Sequence, residues 1–219
     1  ISIRDCEGIA YVPSRNTVFI SGEGDQRIME YNMQGQPTGR ELNVPSIFSN
    51  KHIVFNYGFE ALCYDTLAHR FWTTTESTLP VDGPAASAMH PGVTNLLRIQ
   101  AFNDDLQPCA QYAYRMDPGR KDDFGKTYVF GVPELAPLPD GRLLVLEREA
   151  NVTAGGLSST VRCKLFVVDP AHCEQIDSQI AMKDVDANHF LNKKLLADWT
   201  THVQPFNISF ANYEGMCLG

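Results

Sequence analysis

Short apolar runs recur along the chain, and residues typical of turns separate each run from the next. The first group has an apolar run at 9–12, a turn at 13–16, and further runs at 17–21, 27–32 and 39–44. Runs rich in β-branched and aromatic residues, bounded by Gly, Pro and Asn, predict β-strands. Four strands in about 45 residues match the period of one β-propeller blade.

The same order of runs returns twice. The second group has runs at 61–64, 70–75, 95–99 and 111–115; the third has runs at 135–138, 142–146 and 164–168, with 179–182 as its fourth strand. Residues 192–199 resemble a helical turn or an insertion. The groups predict blades at about 1–45, 58–116 and 132–185, and the start of a next blade at 206–219.

We therefore predict one all-β domain over 1–219, a β-propeller of four-stranded antiparallel blades. About three blades and one further strand are present, whereas propeller rings usually have four to eight blades. The ring is therefore expected to be incomplete. Either the chain is part of a longer polypeptide, or its open strand edges pair with another copy to form an oligomer.

A glutamate stands at the head of the first run in each group: Glu7, Glu60, Glu134 and, near the end, Glu214. Consecutive antiparallel strands place the start of the first strand beside the end of the second. Acidic residues lie at those ends too, namely Asp25, Glu76 and Glu147. The loops at 77–94 and 150–160 emerge at the same face, and long loops on a rigid scaffold often carry binding sites.

Two interpretations of this acidic face stay open. Converging carboxylates repel one another and require a cation, an arginine or raised pKa values. Calcium takes six to eight oxygen ligands with loose geometry, so the seven acidic residues are candidate calcium ligands. Alternatively, each glutamate accepts backbone N–H groups from the neighbouring blade and fastens the ring together.

Three residues are candidates for catalysis. Glu76 would act as a general base or a metal ligand, or it is merely solvated. Arg148 would hold a phosphate or carboxylate with its planar guanidinium, or it forms a structural ion pair with Glu147 beside Glu134. His90, in the long loop "AASAMHPGVTN", would act as a proton shuttle.

Composition excludes several classes of protein. A formal charge of −8 argues against nucleic-acid binding. The sequence contains no run of 18 apolar residues, so no membrane-spanning helix is predicted. The six cysteines form no C-x-x-C pair, which argues against zinc. Cys163 and Cys173 flank a turn at 169–170, so a disulfide between them is one alternative, and the redox compartment stays open.

Five segments carry a family resemblance: "CEGIAY", "YGFEALCYD", "FWTTTES", "GVPELAPLPDGRLLVLERE" and "FANYEGMCLG". In this order they resemble the phytase-like domain known as "esterase-like activity of phytase". The resemblance implies a β-propeller-like fold, a bacterial protein that is periplasmic or secreted, and hydrolysis of an ester or phosphoester. The family continues past the last segment with an Asp/Asn-rich strand that this chain lacks.

Two hypotheses about function follow. The first is a metal-dependent hydrolase that cleaves a small-molecule phosphoester or carboxylester at the acidic face, with calcium as the cofactor. The second is a binding module without catalysis, which presents its loops to a protein, glycan or small ligand. A fold alone does not choose between them, because one fold hosts many functions.

Overall fold

The computed structural model describes residues 4–54, 56–90, 92–119, 127–204, 207–209 and 211–218. Within these ranges the chain forms thirteen β-strands and four short 3-10 helices. The helices are Ser46–Phe48, Pro170–His172, Met182–Asp184 and Ala187–His189. The protein is all-β, as the pattern of short runs predicts.

The first blade is an antiparallel sheet in the order β1-β2-β3-β4. Its strands are β1 (Cys6–Val12), β2 (Thr17–Gly22), β3 (Arg27–Asn32) and β4 (Pro37–Glu41). Side chains alternate across the sheet, so Ala10 and Val12 are buried while Ile9 and Tyr11 are exposed.

The second blade has the order β5-β6-β7-β8 and the same antiparallel pairing. Its strands are β5 (Phe59–Asp65), β6 (Arg70–Thr75), β7 (Leu96–Asn103) and β8 (Pro108–Arg115). These strands fall where the second group of apolar runs predicts them.

The third blade has the order β9-β10-β11-β12, with the short β13 added at its outer edge. Its strands are β9 (Thr127–Pro137), β10 (Leu143–Val152), β11 (Thr160–Val168), β12 (Lys193–Gln204) and β13 (Asn207–Ile208). The predicted fourth strand at 179–182 is wrong, and so is the helical turn or insertion at 192–199. Residues 193–204 have helix-forming Lys, Leu and Ala at their start, but pairing with β11 overrides that local preference.

The connection between β11 and β12 crosses to the second blade. Phe190 bridges Ala113 of β8, the Leu191 N–H donates to the Ala113 carbonyl at 2.8 Å, and the Ile176 N–H donates to the Gln111 carbonyl at 2.9 Å. This connection therefore protects the outer edge of blade 2.

The innermost strands pack side by side, β1 against β5 and β5 against β9. One apolar cluster joins the first two blades, and it includes Val12, Phe19, Phe59 and Phe71. A second cluster joins the second and third blades, and it includes Trp72, Tyr112, Val132 and Phe166. Sheets that stack face to face with their first strands together form the propeller arrangement, which confirms the predicted fold class.

Residues 211–218 run along the third blade without an assigned strand. Met216 packs against Ala136, Leu144 and Val167, on the sheet face where a next blade would lie. That this segment begins a further blade stays a prediction.

All six cysteines are free, so the alternative of a disulfide between Cys163 and Cys173 is wrong. Cys163 is buried beside Leu146 and Val161, whereas the Cys173 thiol contacts the His189 carbonyl at 3.4 Å. In the described part of the chain, no helix has the length and apolar character needed to cross a membrane.

Candidate functional site

β-Bulges place two of the predicted glutamates. The pairing of β1 with β2 shifts between Cys6 and Ile9, and the pairing of β5 with β6 shifts between Phe59 and Leu62. Glu7 and Glu60 lie inside these bulges, where an extra residue bends the strand and redirects side chains. Burial and the charge of Glu7 are among the causes that raise the pKa of Glu60, so the two carboxyl groups share one region.

Glu134 does not occupy the equivalent position. In β9 the register shifts between Gly131 and Glu134, so Glu134 falls just after the bulge and pairs with Leu146. Its carboxylate accepts N–H groups of Leu135 at 2.8 Å, of Leu62 in the neighbouring blade and of Met216. The prediction that Glu134 matches Glu7 and Glu60 is therefore wrong, and its contacts are those of the fastening interpretation.

Three carboxylates converge beside the bulges. Oxygen atoms of Glu23, Glu60 and Glu76 lie within 4.8 Å of one another, and a second set of Asp5, Glu7 and Glu23 meets the same limit. We call these residues the acidic centre. Glu23 follows β2 and Glu76 follows β6, so two equivalent strand ends supply two of the three central carboxylates.

Burial and mutual repulsion shift the carboxyl groups of Glu23, Glu60 and Glu76 toward protonation. Burial, followed by the charges of Glu76 and Glu7, raises the pKa of Glu60 to about 9. Burial raises the pKa of Glu76 to about 7, although Arg148 opposes the shift. Burial also raises the pKa of Glu23, against the hydrogen bond from the Gly58 N–H at 2.8 Å. At neutral pH Glu60 therefore holds a proton unless a cation replaces it.

Arg148 lies beside this centre and bonds two carboxylates. Its Nη2 is 2.5 Å from Glu76 and its Nη1 is 2.5 Å from Glu214. Gly131, which pairs with Arg148 across the strands, makes room for Glu76, because a Cβ there would lie 2.4 Å from Glu76 Cγ. Both terminal nitrogens of Arg148 thus serve carboxylates, and the expected role of Arg148 in holding a phosphate is not supported.

Glu147 is not part of the centre. Adjacent residues of a strand point to opposite faces, so Glu147 turns away from Arg148 and the predicted ion pair between them is wrong. Instead, Glu147 accepts hydrogen bonds from Tyr114 at 2.7 Å and Lys193 at 2.6 Å in a buried network with Asp117.

Asp25 also lies outside the centre. Its carboxylate forms an ion pair with Arg4 at 2.8 Å and accepts the Arg27 N–H at 3.1 Å. Two residues before it, Glu23 takes the place that the sequence assigned to Asp25. The sequence pattern does not identify Glu23, because it does not say which of the two carboxylates after β2 turns inward.

His90 lies beside the acidic centre rather than within it. Its Nδ1 is 3.3 Å from Ser87 Oγ, and it lines a cavity of about 240 Å³ with Tyr57 and Ser77. A second cavity of about 310 Å³ is lined by Asp5, Glu23, Asn50 and Val54, among others. Val54 lines both cavities, so the acidic centre and the His90 cavity are neighbours.

Comparison with known proteins identifies the class. The chain is an all-β propeller-type protein with a carboxylate-rich centre between its first strands. A family model described as "Phytase-like: Esterase-like activity of phytase" matches residues 2–219, so the chain belongs to this phytase-like family. The family description names an esterase-like activity. A search of curated proteins finds no match.

Three solved structures show weak likeness. A nidogen/laminin complex has 15% identity and a TM-score of 0.37, covering 78% of this chain and 62% of that chain. A streptogramin B lyase has 12% identity and a TM-score of 0.31, and the match covers 83% of this chain and 72% of the lyase chain. The hydrazine synthase of Kuenenia stuttgartiensis has 10% identity and a TM-score of 0.32, and the match covers 98% of this chain and 70% of the synthase chain. The chain therefore spans less than two thirds of the first of these structures.

Proposed function

We propose that this protein is a metal-dependent hydrolase that cleaves a small-molecule ester at the acidic centre, with calcium as the cation. The main support for this proposal is the convergence of Glu23, Glu60 and Glu76, whose oxygen atoms lie within 4.8 Å of one another. Two unit charges about 4 Å apart repel by roughly 4 kcal/mol at an effective dielectric of 20. A bound cation would relieve that repulsion in place of the proton that Glu60 otherwise holds at neutral pH.

The donor set fits a hard divalent cation. All the converging groups of the centre are carboxylates, and they come from strand ends and bulges of two blades, which tolerates the loose geometry of calcium. Glu23 and Glu60 would bind the cation directly. Calcium would then compete with the proton that Glu60 holds at neutral pH, since its pKa is about 9.

Glu76 in the centre, and Arg148 and His90 beside it, have parts in catalysis. When bound, the cation would polarise the ester and lower the pKa of a water molecule. Glu76 takes the proton of the attacking water, because its carboxylate lies within 4.8 Å of the Glu23 and Glu60 oxygen atoms that would hold the cation. Arg148 orients Glu76 through their ion pair. His90, which lines the neighbouring cavity, shuttles a proton to or from solvent.

The family resemblance supports a periplasmic or secreted location, where calcium-dependent chemistry has ample calcium. We include this location in the proposal. The substrate is then an ester that reaches the protein outside the cytoplasm.

Isothermal titration calorimetry with calcium tests the proposal, together with hydrolysis of p-nitrophenyl esters before and after chelation. We expect calcium at about 100 times its dissociation constant to stabilise the fold by about 2.7 kcal/mol. Glu60→Gln should abolish binding and activity, whereas Glu76→Gln should retain binding and lose turnover. Glu41→Gln is the matched control, since Glu41 is exposed and pairs with Arg27 at 2.6 Å. Unchanged activity after chelation would refute the metal dependence.

A further inference from the structure

The cavity that contains His90 has an apolar wall. It measures about 240 Å³, and its lining includes the apolar side chains of Val54, Pro84, Ala85 and Ala86 together with Tyr57, Ser77 and Ser87. Pockets for drug-sized ligands span about 300–1,000 Å³, so this one suits a small apolar fragment. No charged side chain other than His90, when protonated, is among its described lining residues.

The apolar cavity adjoins the acidic centre at two points. Ser77, which follows Glu76 in the chain, lies on its wall. Tyr57 lies on the wall as well. Burial raises the pKa of its hydroxyl, and the charges of Glu76 and Glu23 raise it further. A molecule whose ester group lies at Glu76 would thus place a neighbouring group in this cavity.

The charges around the centre disfavour an anionic substrate. Asp5, Glu7, Glu23, Glu60, Glu76 and Glu214 contribute carboxyl groups, while Arg148 is already bonded to Glu76 and Glu214. One divalent cation offsets two negative charges and leaves the surroundings acidic. A phosphate monoester carries up to two negative charges into that field, whereas a carboxylic ester carries none.

We propose that the cavity lined by Val54, Tyr57, Ala85 and Ala86 is the acyl subsite for a neutral carboxylic ester with a short acyl chain. This inference rests on the proposed hydrolase function. Water adds its oxygen to the acyl carbon, the bond between that carbon and the alcohol oxygen breaks, and the proton taken by Glu76 passes to the leaving alkoxide. The products are a short carboxylic acid and an alcohol.

A chain-length series tests the acyl subsite. The substrates are p-nitrophenyl acetate, butyrate and octanoate, with p-nitrophenyl phosphate as the anionic comparison. We expect kcat/KM to be highest for butyrate, to fall for octanoate and to be lowest for the phosphate. Ala85→Leu fills the cavity and should reduce kcat/KM for butyrate relative to acetate by about tenfold or more.

A second variant works in the opposite direction. Val54→Ala removes a side chain between the two cavities, so the preference should shift toward octanoate. Val81→Ala is the matched control. Val81 is about as exposed as Val54, at 47% against 44%, but it does not line either cavity. The control should leave the chain-length profile unchanged.

Binding without turnover separates the two proposals. Saturation-transfer NMR with methyl butyrate should show contact of the acyl chain with the parent protein and weaker contact with Ala85→Leu. If methyl butyrate binds in this way but no ester is hydrolysed, the subsite stands and the hydrolase function fails. If esters are hydrolysed without chain-length preference and Ala85→Leu has no effect, or if the phosphate is the better substrate, the acyl subsite is refuted. An absence of both binding and turnover overturns both proposals.

Discussion

Arg148 Nη2 lies 2.5 Å from Glu76 Oε1 and joins the third blade to the second beside the acidic centre. Both side chains are buried, at 6% and 3% exposure. The contact requires Gly131, since any side chain there would collide with Glu76. One glycine on β9 and one arginine on β10 thus determine where a carboxylate of another blade lies.

Replacing Arg148 is expected to destabilise the protein. Arg148→Met would leave Glu76 buried without its cation, and loss of one partner of a buried pair costs about 3–5 kcal/mol. The lower end, about 3 kcal/mol, is expected because Glu76 has a pKa of about 7 and can take up a proton. Urea unfolding measures the change. The control Arg27→Met, in an exposed pair with Glu41, should cost less than about 1 kcal/mol, and equal effects of the two would contradict the prediction.

Glu134 is expected to act as a structural fastener rather than a calcium ligand. Glu134→Gln puts an amide NH₂ among N–H groups of Leu62, Leu135 and Met216, so some donors lose their acceptor. The expected cost is about 1–3 kcal/mol. Thermal melts with and without calcium provide the measurement. Calcium should still raise the melting temperature of Glu134→Gln but not that of Glu60→Gln. The reverse result would show that Glu134, rather than Glu60, binds calcium.

Stability of the calcium-free protein is expected to fall as pH rises. The folded pKa of Glu60 is about 9, above its ordinary value of 4.5, so the folded state keeps a proton that the unfolded state releases. This contribution is complete below pH 4.5 and is lost as pH rises toward 9; Glu76 and Glu134 add losses up to about pH 7. Melting temperatures measured in chelator from about pH 5 to about pH 9 should therefore decline.

Glu60→Gln should flatten this decline, because glutamine does not titrate. Glu41→Gln, at an exposed position, should leave it intact. If the melting temperature of the parent protein instead rises between about pH 5 and about pH 9, ionisation of these carboxyl groups does not destabilise the fold, and the prediction is wrong.

One face of the first blade is expected to drive self-association of the 219-residue chain. Cross-strand pairing aligns two rows of apolar side chains on it, namely Ile9, Ile20 and Met29, and Tyr11, Val18 and Tyr31. Ile9 is 63% exposed and Tyr11 is 47% exposed. Contiguous apolar surface of this kind marks interaction sites. Sedimentation velocity should show concentration-dependent association that Tyr11→Lys reduces.

Leu67→Lys provides the control, because Leu67 is 68% exposed but lies in the turn after β5. It should leave the association unchanged. Monomers at every concentration in the parent protein would refute the prediction, as would equal effects of the two variants.

The sequence by itself determined the strands and their grouping into blades. The apolar runs and the turn residues between them are local signals, and eleven of the thirteen described strands overlap a predicted run. It also determined that carboxylates meet near the strand ends, because antiparallel pairing brings the head of one strand beside the end of the next. Glu7, Glu60 and Glu76 were found in this way.

Only the tertiary structure decided which carboxylates converge. A bulge adds one residue and changes the direction of the side chains beyond it, and the sequence does not mark where β1, β5 and β9 are bulged. Hence Glu134 departs from the position of Glu60. Which of Glu23 and Asp25 turns inward after β2 was decided by the three-dimensional packing. The strand β12 was likewise decided by its pairing with β11, since non-local hydrogen bonds outweigh the local preferences that a sequence pattern reports.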